Sequence, residues 1–226
     1  MNPTISPHTL DFLRLLTANN NRDWFQAHRA TYEDALVNMK DFADELMYRL
    51  SEHDVLEKMR IYRIYRDVRF SKDKTPYKKY WGGGIKRASA LRRGSYFFSI
   101  QPDGKSEVGG GFFGPNKEDM KLIRTQIAQD PTALRRIVKG QKAIELFGGL
   151  SGEQVKTAPK GYKKDHPAID LLRYKQFILR RSFSDEEVVS EAFLDQVVDT
   201  YVAILPFFDY MSEILTTDLD GRPLYA

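Results

Sequence analysis

The sequence predicts an α+β fold, a small antiparallel sheet from the middle of the chain packed by N-terminal and C-terminal helices. Three observations carry this. Apolar residues recur at three- and four-residue steps at both ends of the chain. Between them the period falls to two, in extended runs such as SYFFSI and the segment around SEVGGGFF. Those runs flank Asp103–Gly104, a dipeptide suited to a type I′ hairpin turn.

The elements follow in order. Ser6 and Pro7 supply an N-cap and a first helical residue, so a short helix is expected to about Thr17. Asn21 caps a longer one whose stripe runs Trp24, His28, Tyr32, Leu36, Met39, Phe42, Leu46 and Leu50. The Tyr, Ile, Val and Phe of residues 60–70 predict a strand, and residues 79–86 another. Asn116 starts a further helix, DPTALRRIV a short one and AIDLLRYK a helical turn or two, after the polar loop KTAPKGYKKDHP. Ser184 with Glu187 forms a capping box that opens the last helix, which Pro206 is expected to kink or interrupt. No linker divides the chain, so one domain is expected over residues 1–226. Its parts are helices at 6–53, the sheet at 58–114, helices at 116–215 and a tail at 216–226.

Composition narrows the class. The chain has 226 residues, 42% of them hydrophobic and none of them cysteine. Disulfides, thiolate chemistry and sulfur-built zinc sites are therefore excluded. No apolar run approaches the ~20 residues of a membrane helix, and MNPTISPHTLDF lacks the regions of a signal peptide. A cytoplasmic protein without a membrane partner is expected. The net charge is only +4, but Lys58 to Arg93 holds thirteen Lys or Arg against two Asp, a local +11 on a chain otherwise at −7. Such asymmetry points to an anion site.

Familiar catalytic motifs fail. GGGFFGPNK resembles a phosphate-binding loop, but Pro115 stands where the lysine belongs and no hydroxyl follows. No dinucleotide fingerprint, H-E-x-x-H or G-x-S-x-G is present. The four histidines lack metal-ligand spacing, and His28 lies on an apolar helical stripe, a core position. The residues name no metal and no cofactor.

The basic segment RIYRIYRDVRFSKDKTPYKKYWGGGIKR is the candidate site. As a strand it would carry arginines on both faces, and a buried guanidinium must find carboxylates or carbonyls. Asp67 and Asp73 are natural partners, yet two acids cannot neutralise so many cations. FSKDKTPYKKY then reads as a turn ringed by lysines, able to clamp phosphate or carboxylate. The ordinary structural alternative is a solvated lysine face guarding an edge strand, with Arg–Asp pairs as architecture.

The stretch RIYRDVRFSKDKTPYKKY closely resembles the signature of domain-of-unknown-function family twenty-four sixty-one, a widespread bacterial and fungal family. GGGFFGP and APKGYKKDHPAIDLLRYKQF resemble its second and third blocks, and the likeness covers residues 5 to 215. It picks out Arg63, Arg66, Asp67, Arg69, Phe70, Asp73, Lys74, Pro76, Tyr77 and Lys78 in the first block. Gly111 and Pro115 follow in the second; the third brings Pro159, Lys160, Gly161, Tyr162, Asp165, His166 and Pro167. The family has no established activity, so the resemblance implies a shared site without a reaction.

The expected ligand contacts are Arg63, Arg66, Arg69, Lys74, Tyr77, Lys78, Lys160 and Tyr162, on a small phosphorylated anion. Proton-transfer candidates are Asp67, Asp73, Tyr77 and His166, the last paired with Asp165 if the first and third blocks meet. Against that pairing, Asp165 reads more readily as the cap of a helix starting near Ala168. Two other functions use the same residues: a nucleic-acid-binding module stacking bases on the tyrosines, and a protein-interaction domain with a structural Arg/Asp network.

Overall fold

In the computed structural model, which describes residues 3–218 and 221–224, the α+β expectation holds. Helices α1 (Pro7–Ala18), α2 (Arg22–Ala27) and α3 (Arg29–Leu50) precede strands β1 (Leu56–Ile61), β2 (Trp81–Arg87), β3 (Ser95–Ile100) and β4 (Ser106–Phe112). Four helices follow: α4 (Lys117–Gln129), α5 (Thr132–Lys139), α6 (Gln141–Phe147) and α7 (Ile169–Leu172). Strand β5 (Phe177–Phe183), α8 (Asp185–Val188) and α9 (Phe193–Thr216) complete the chain. The strands make one antiparallel sheet in the order β1-β2-β3-β4-β5.

Local signals place most boundaries. The Ser6 hydroxyl accepts the His8 amide and Pro7 opens α1. Asn116 caps α4 by accepting the Asp119 amide at 2.8 Å. At the β3–β4 turn Asp103 and Gly104 both take positive φ, 65° and 67°, as a type I′ turn demands. The Asp185 carboxylate then accepts both turn amides at 2.9 Å.

Four expectations change. The helix begun at Asn21 divides at His28 (φ −113°, ψ 26°), whose ring stacks on Trp24 and whose Nδ1 donates to the Trp24 carbonyl at 2.8 Å. The capping box at Ser184 opens only the four-residue α8, and the long helix starts afresh at Phe193. That helix continues through Pro206, with Ile204, Phe207, Phe208 and Met211 fully buried around it. The strand expected at 60–70 ends at Ile61, and residues 62–80 form an irregular excursion with an isolated bridge between Tyr65 and Tyr77.

The chain folds into two compact units, each built from three stretches. The first comprises Met1–Ile85, Phe97–Val108 and Ser182–Thr200. Its core joins Phe12, Phe25, Tyr32 and Trp81 in one aromatic cluster, with Phe42 and Phe183 against Phe193. The second comprises Lys86–Tyr96, Gly109–Arg181 and Tyr201–Ala226. Phe208 is its hub, with ring centres 4.9 Å from Tyr96 and 5.9 Å from Phe112. Among the described residues no helix is long and apolar enough to cross a membrane.

Candidate functional site

The excursion between β1 and β2 belongs to the first unit and is folded by its own polar groups. Backbone pairs Tyr62 to Gly82, Arg66 to Pro76 and Lys78 to Ile64, each at 2.8 Å, run its two legs side by side. Ile64 and Tyr77 point into the core, while Tyr62 and Tyr65 stay partly exposed. A continuous strand here would have buried cations on one face; the chain instead leaves the sheet and wraps around them.

At the tip, the two acids are already used. Arg66, half-buried, reaches the Asp73 carboxylate at 2.7 Å, the Thr75 carbonyl at 3.0 Å and the Thr75 and Ser71 hydroxyls. Arg69, exposed, makes a forked pair with Asp67, at 3.0 and 2.6 Å. Lys74, exposed, donates to the Val68 carbonyl at 3.0 Å and so ties the loop across its tip. Arg66, Arg69 and Lys74, expected as ligand contacts, thus hold the shape of the loop.

Asp73 accepts the Thr75 amide and hydroxyl as well as Arg66, and these bonds draw its carboxyl from 3.8 down to about 2. The folded value lies below the ordinary one, so this carboxylate's contribution is fully present above 3.8 and lost as pH falls through about 2. The Thr75 amide resonance is therefore expected to keep its position to below pH 3 and to shift with a midpoint near 2. A midpoint at the ordinary carboxylate value would contradict these contacts.

Beside the loop lies a cavity of about 510 Å³, lined by Arg66, Asp73, Lys78, Lys79, Tyr80 and Gln101, with Asp67 and Tyr77. Lys78 is half-buried and donates to the Arg63 carbonyl at 2.9 Å, its ammonium 5.5 Å from the Tyr62 ring centre. Burial, and then the nearby Arg63 charge, push its pKa down. Among the described residues Arg63, Lys78 and Lys79 have no carboxylate within ion-pair distance. Tyr77 is 2% exposed and stacks on Phe25 at 4.1 Å, while Asn20 brackets its backbone at 3.1 and 3.0 Å. Its ring floors the site from within the core.

Lys160, Tyr162 and His166 belong to the second unit. His166 Nδ1 accepts the Ala168 amide at 3.0 Å in the turn before α7, and among the described residues no side chain, Asp165 included, caps that helix. Lys160 and Tyr162 line a cavity together with Lys117, Lys121 and Arg124 of α4. Those three cations lie outside the basic segment that the sequence singles out, although their spacing along a helix capped by Asn116 is legible.

Fold and site together define a class: an α+β protein with a cation-bearing cavity in each of two units. Over residues 8–210 the chain matches the family described as "Conserved hypothetical protein (DUF2461)", and it belongs to that family. No curated protein and no solved structure matches the chain significantly.

Proposed function

We propose that the protein binds a small anionic, phosphorylated molecule at the cavity beside the 66–75 loop. Lys78 and Lys79 would meet the anion, with Arg63 adding charge, on a scaffold that Arg66–Asp73 and Arg69–Asp67 hold rigid. One observation carries the reading: Lys78 is half-buried with no carboxylate partner, while both acids of the segment are occupied by arginines. A partly buried ammonium held only by a carbonyl and an aromatic face gains more from an incoming anion than a solvated one.

The test is thermal-shift screening against phosphorylated metabolites and inorganic phosphate, then calorimetry on the hits with Lys78→Met, which keeps the aliphatic stem. A ligand at a hundred times its Kd should stabilise the wild type by about 2.7 kcal/mol. Lys78→Met is expected to weaken binding at least tenfold. Equal binding of every hit by both proteins would refute the reading.

A second reading, a nucleic-acid-binding surface, has one observation in its favour. Phe70 is 97% exposed at the loop tip, beneath the Arg69 guanidinium at 6.0 Å. An aromatic ring among cations is suited to stacking a base. A short oligonucleotide in the same screen separates the two: retention that falls steeply with salt would favour this surface over the cavity.

A further inference from the structure

The second cavity, in the second unit, is larger and more one-sidedly charged. Its volume is about 700 Å³, inside the roughly 300–1,000 Å³ typical of organic-ligand pockets. Lys117, Lys121 and Arg124 enter it from α4, Lys160 and Tyr162 from the 159–167 loop, and Lys175 from the segment before β5; no Asp or Glu lines it. Lys175 is neutralised by Glu153 at 2.6 Å. Among the described residues the other four cations have no ion pair.

Arg124 is the fixed point. Its Nε donates to the Leu172 carbonyl at 3.1 Å and Nη2 to the Tyr174 carbonyl at 3.2 Å. The fork is thereby oriented, while Nη1 has no protein partner. Burial lowers its pKa, as expected of a guanidinium offered carbonyls and no carboxylate, yet an arginine stays charged at neutral pH. Lys121 and Lys117 stand one and two turns before it on the same face of α4. Tyr162, half-buried, contributes the aromatic lining.

We propose that this cavity binds an organic polyphosphate, a molecule with two or more phosphate groups and a ring. Four uncompensated cations exceed what one phosphate monoester balances, and the volume exceeds what an inorganic ion fills. Arg124 supplies forked donors to one phosphate, the lysines supply charge to the next, and Tyr162 supplies a face for the ring. This site is separate from the cavity at Lys78.

The test is calorimetry on the full chain at low salt with inorganic tripolyphosphate, adenosine triphosphate and adenosine as probes. Lys121 and Lys160 are exposed, so Lys121→Glu/Lys160→Glu should leave the fold intact, which a melting curve verifies. Both phosphate probes are expected to bind the wild type, and adenosine to fail. The double charge reversal should weaken both probes at least tenfold. Tyr162→Ala should weaken the nucleotide about tenfold while leaving tripolyphosphate within twofold. Lys78→Met should change neither, which keeps this result distinct from the reading of the first cavity. Absence of binding, wild-type affinity in the double variant, equal losses in Tyr162→Ala or loss in Lys78→Met would each overturn the proposal.

Discussion

Phe208→Ala is expected to destabilise the protein by about 4 kcal/mol, within the span found for emptying a buried phenylalanine site. The ring is fully buried and packs on Tyr96, Phe112 and Phe207. It also fills the space left by two glycines: a Cβ at Gly94 would stand 2.7 Å from it, and a Cβ at Gly110 likewise 2.7 Å. Backbone on those sides cannot follow a shrinking ring, so the cavity would stay open. Chemical denaturation measures the loss, and a cost under about 1.5 kcal/mol would mean that the site collapses freely.

The same packing separates two adjacent glycines of the GGGFFGP block. Gly111→Ala is expected to cost about 3 kcal/mol, at the upper end of overpacking. Its Cβ would lie 2.3 Å from the Phe177 carbonyl oxygen and 2.8 Å from the Ile178 Cα, so strand β5 itself would have to move. At Gly110 the nearest obstacle is the Phe208 ring, a side chain that can be trimmed. Phe208→Leu should therefore recover part of the loss caused by Gly110→Ala and none of that caused by Gly111→Ala. Denaturation of the two double variants checks this, and equal recovery would contradict the assignment. Gly110 and Gly111 thus serve close packing against Phe208 and β5, in keeping with the failure of the block as a phosphate loop.

Much of the candidate site was legible in the letters. The excess of cations between Lys58 and Arg93, with Asp67 and Asp73 as natural partners, follows from the sequence itself. Asp67 takes Arg69 and Asp73 takes Arg66 because each pair is close enough along the chain to meet in a tight loop. Other features were not legible. β5 went unseen because FILRRSF carries two arginines, and β1 because LEKMRI has neither clean alternation nor turn signals. Residues 60–70 had the composition of a strand but more charge than a sheet can bury.

The chain order of apolar periods, the caps at Ser6, Asn116 and Ser184 and the Asp103–Gly104 turn settle the α+β class, since each rests on residues a few positions apart. Tertiary structure alone decided which cations are consumed and which remain. Lys160 and Tyr162 share a cavity with Lys117, Lys121 and Arg124 only because the fold brings a loop to a helix some forty residues earlier. Neutralisation of a charge depends on distances of a few ångströms between groups that sequence spacing does not relate.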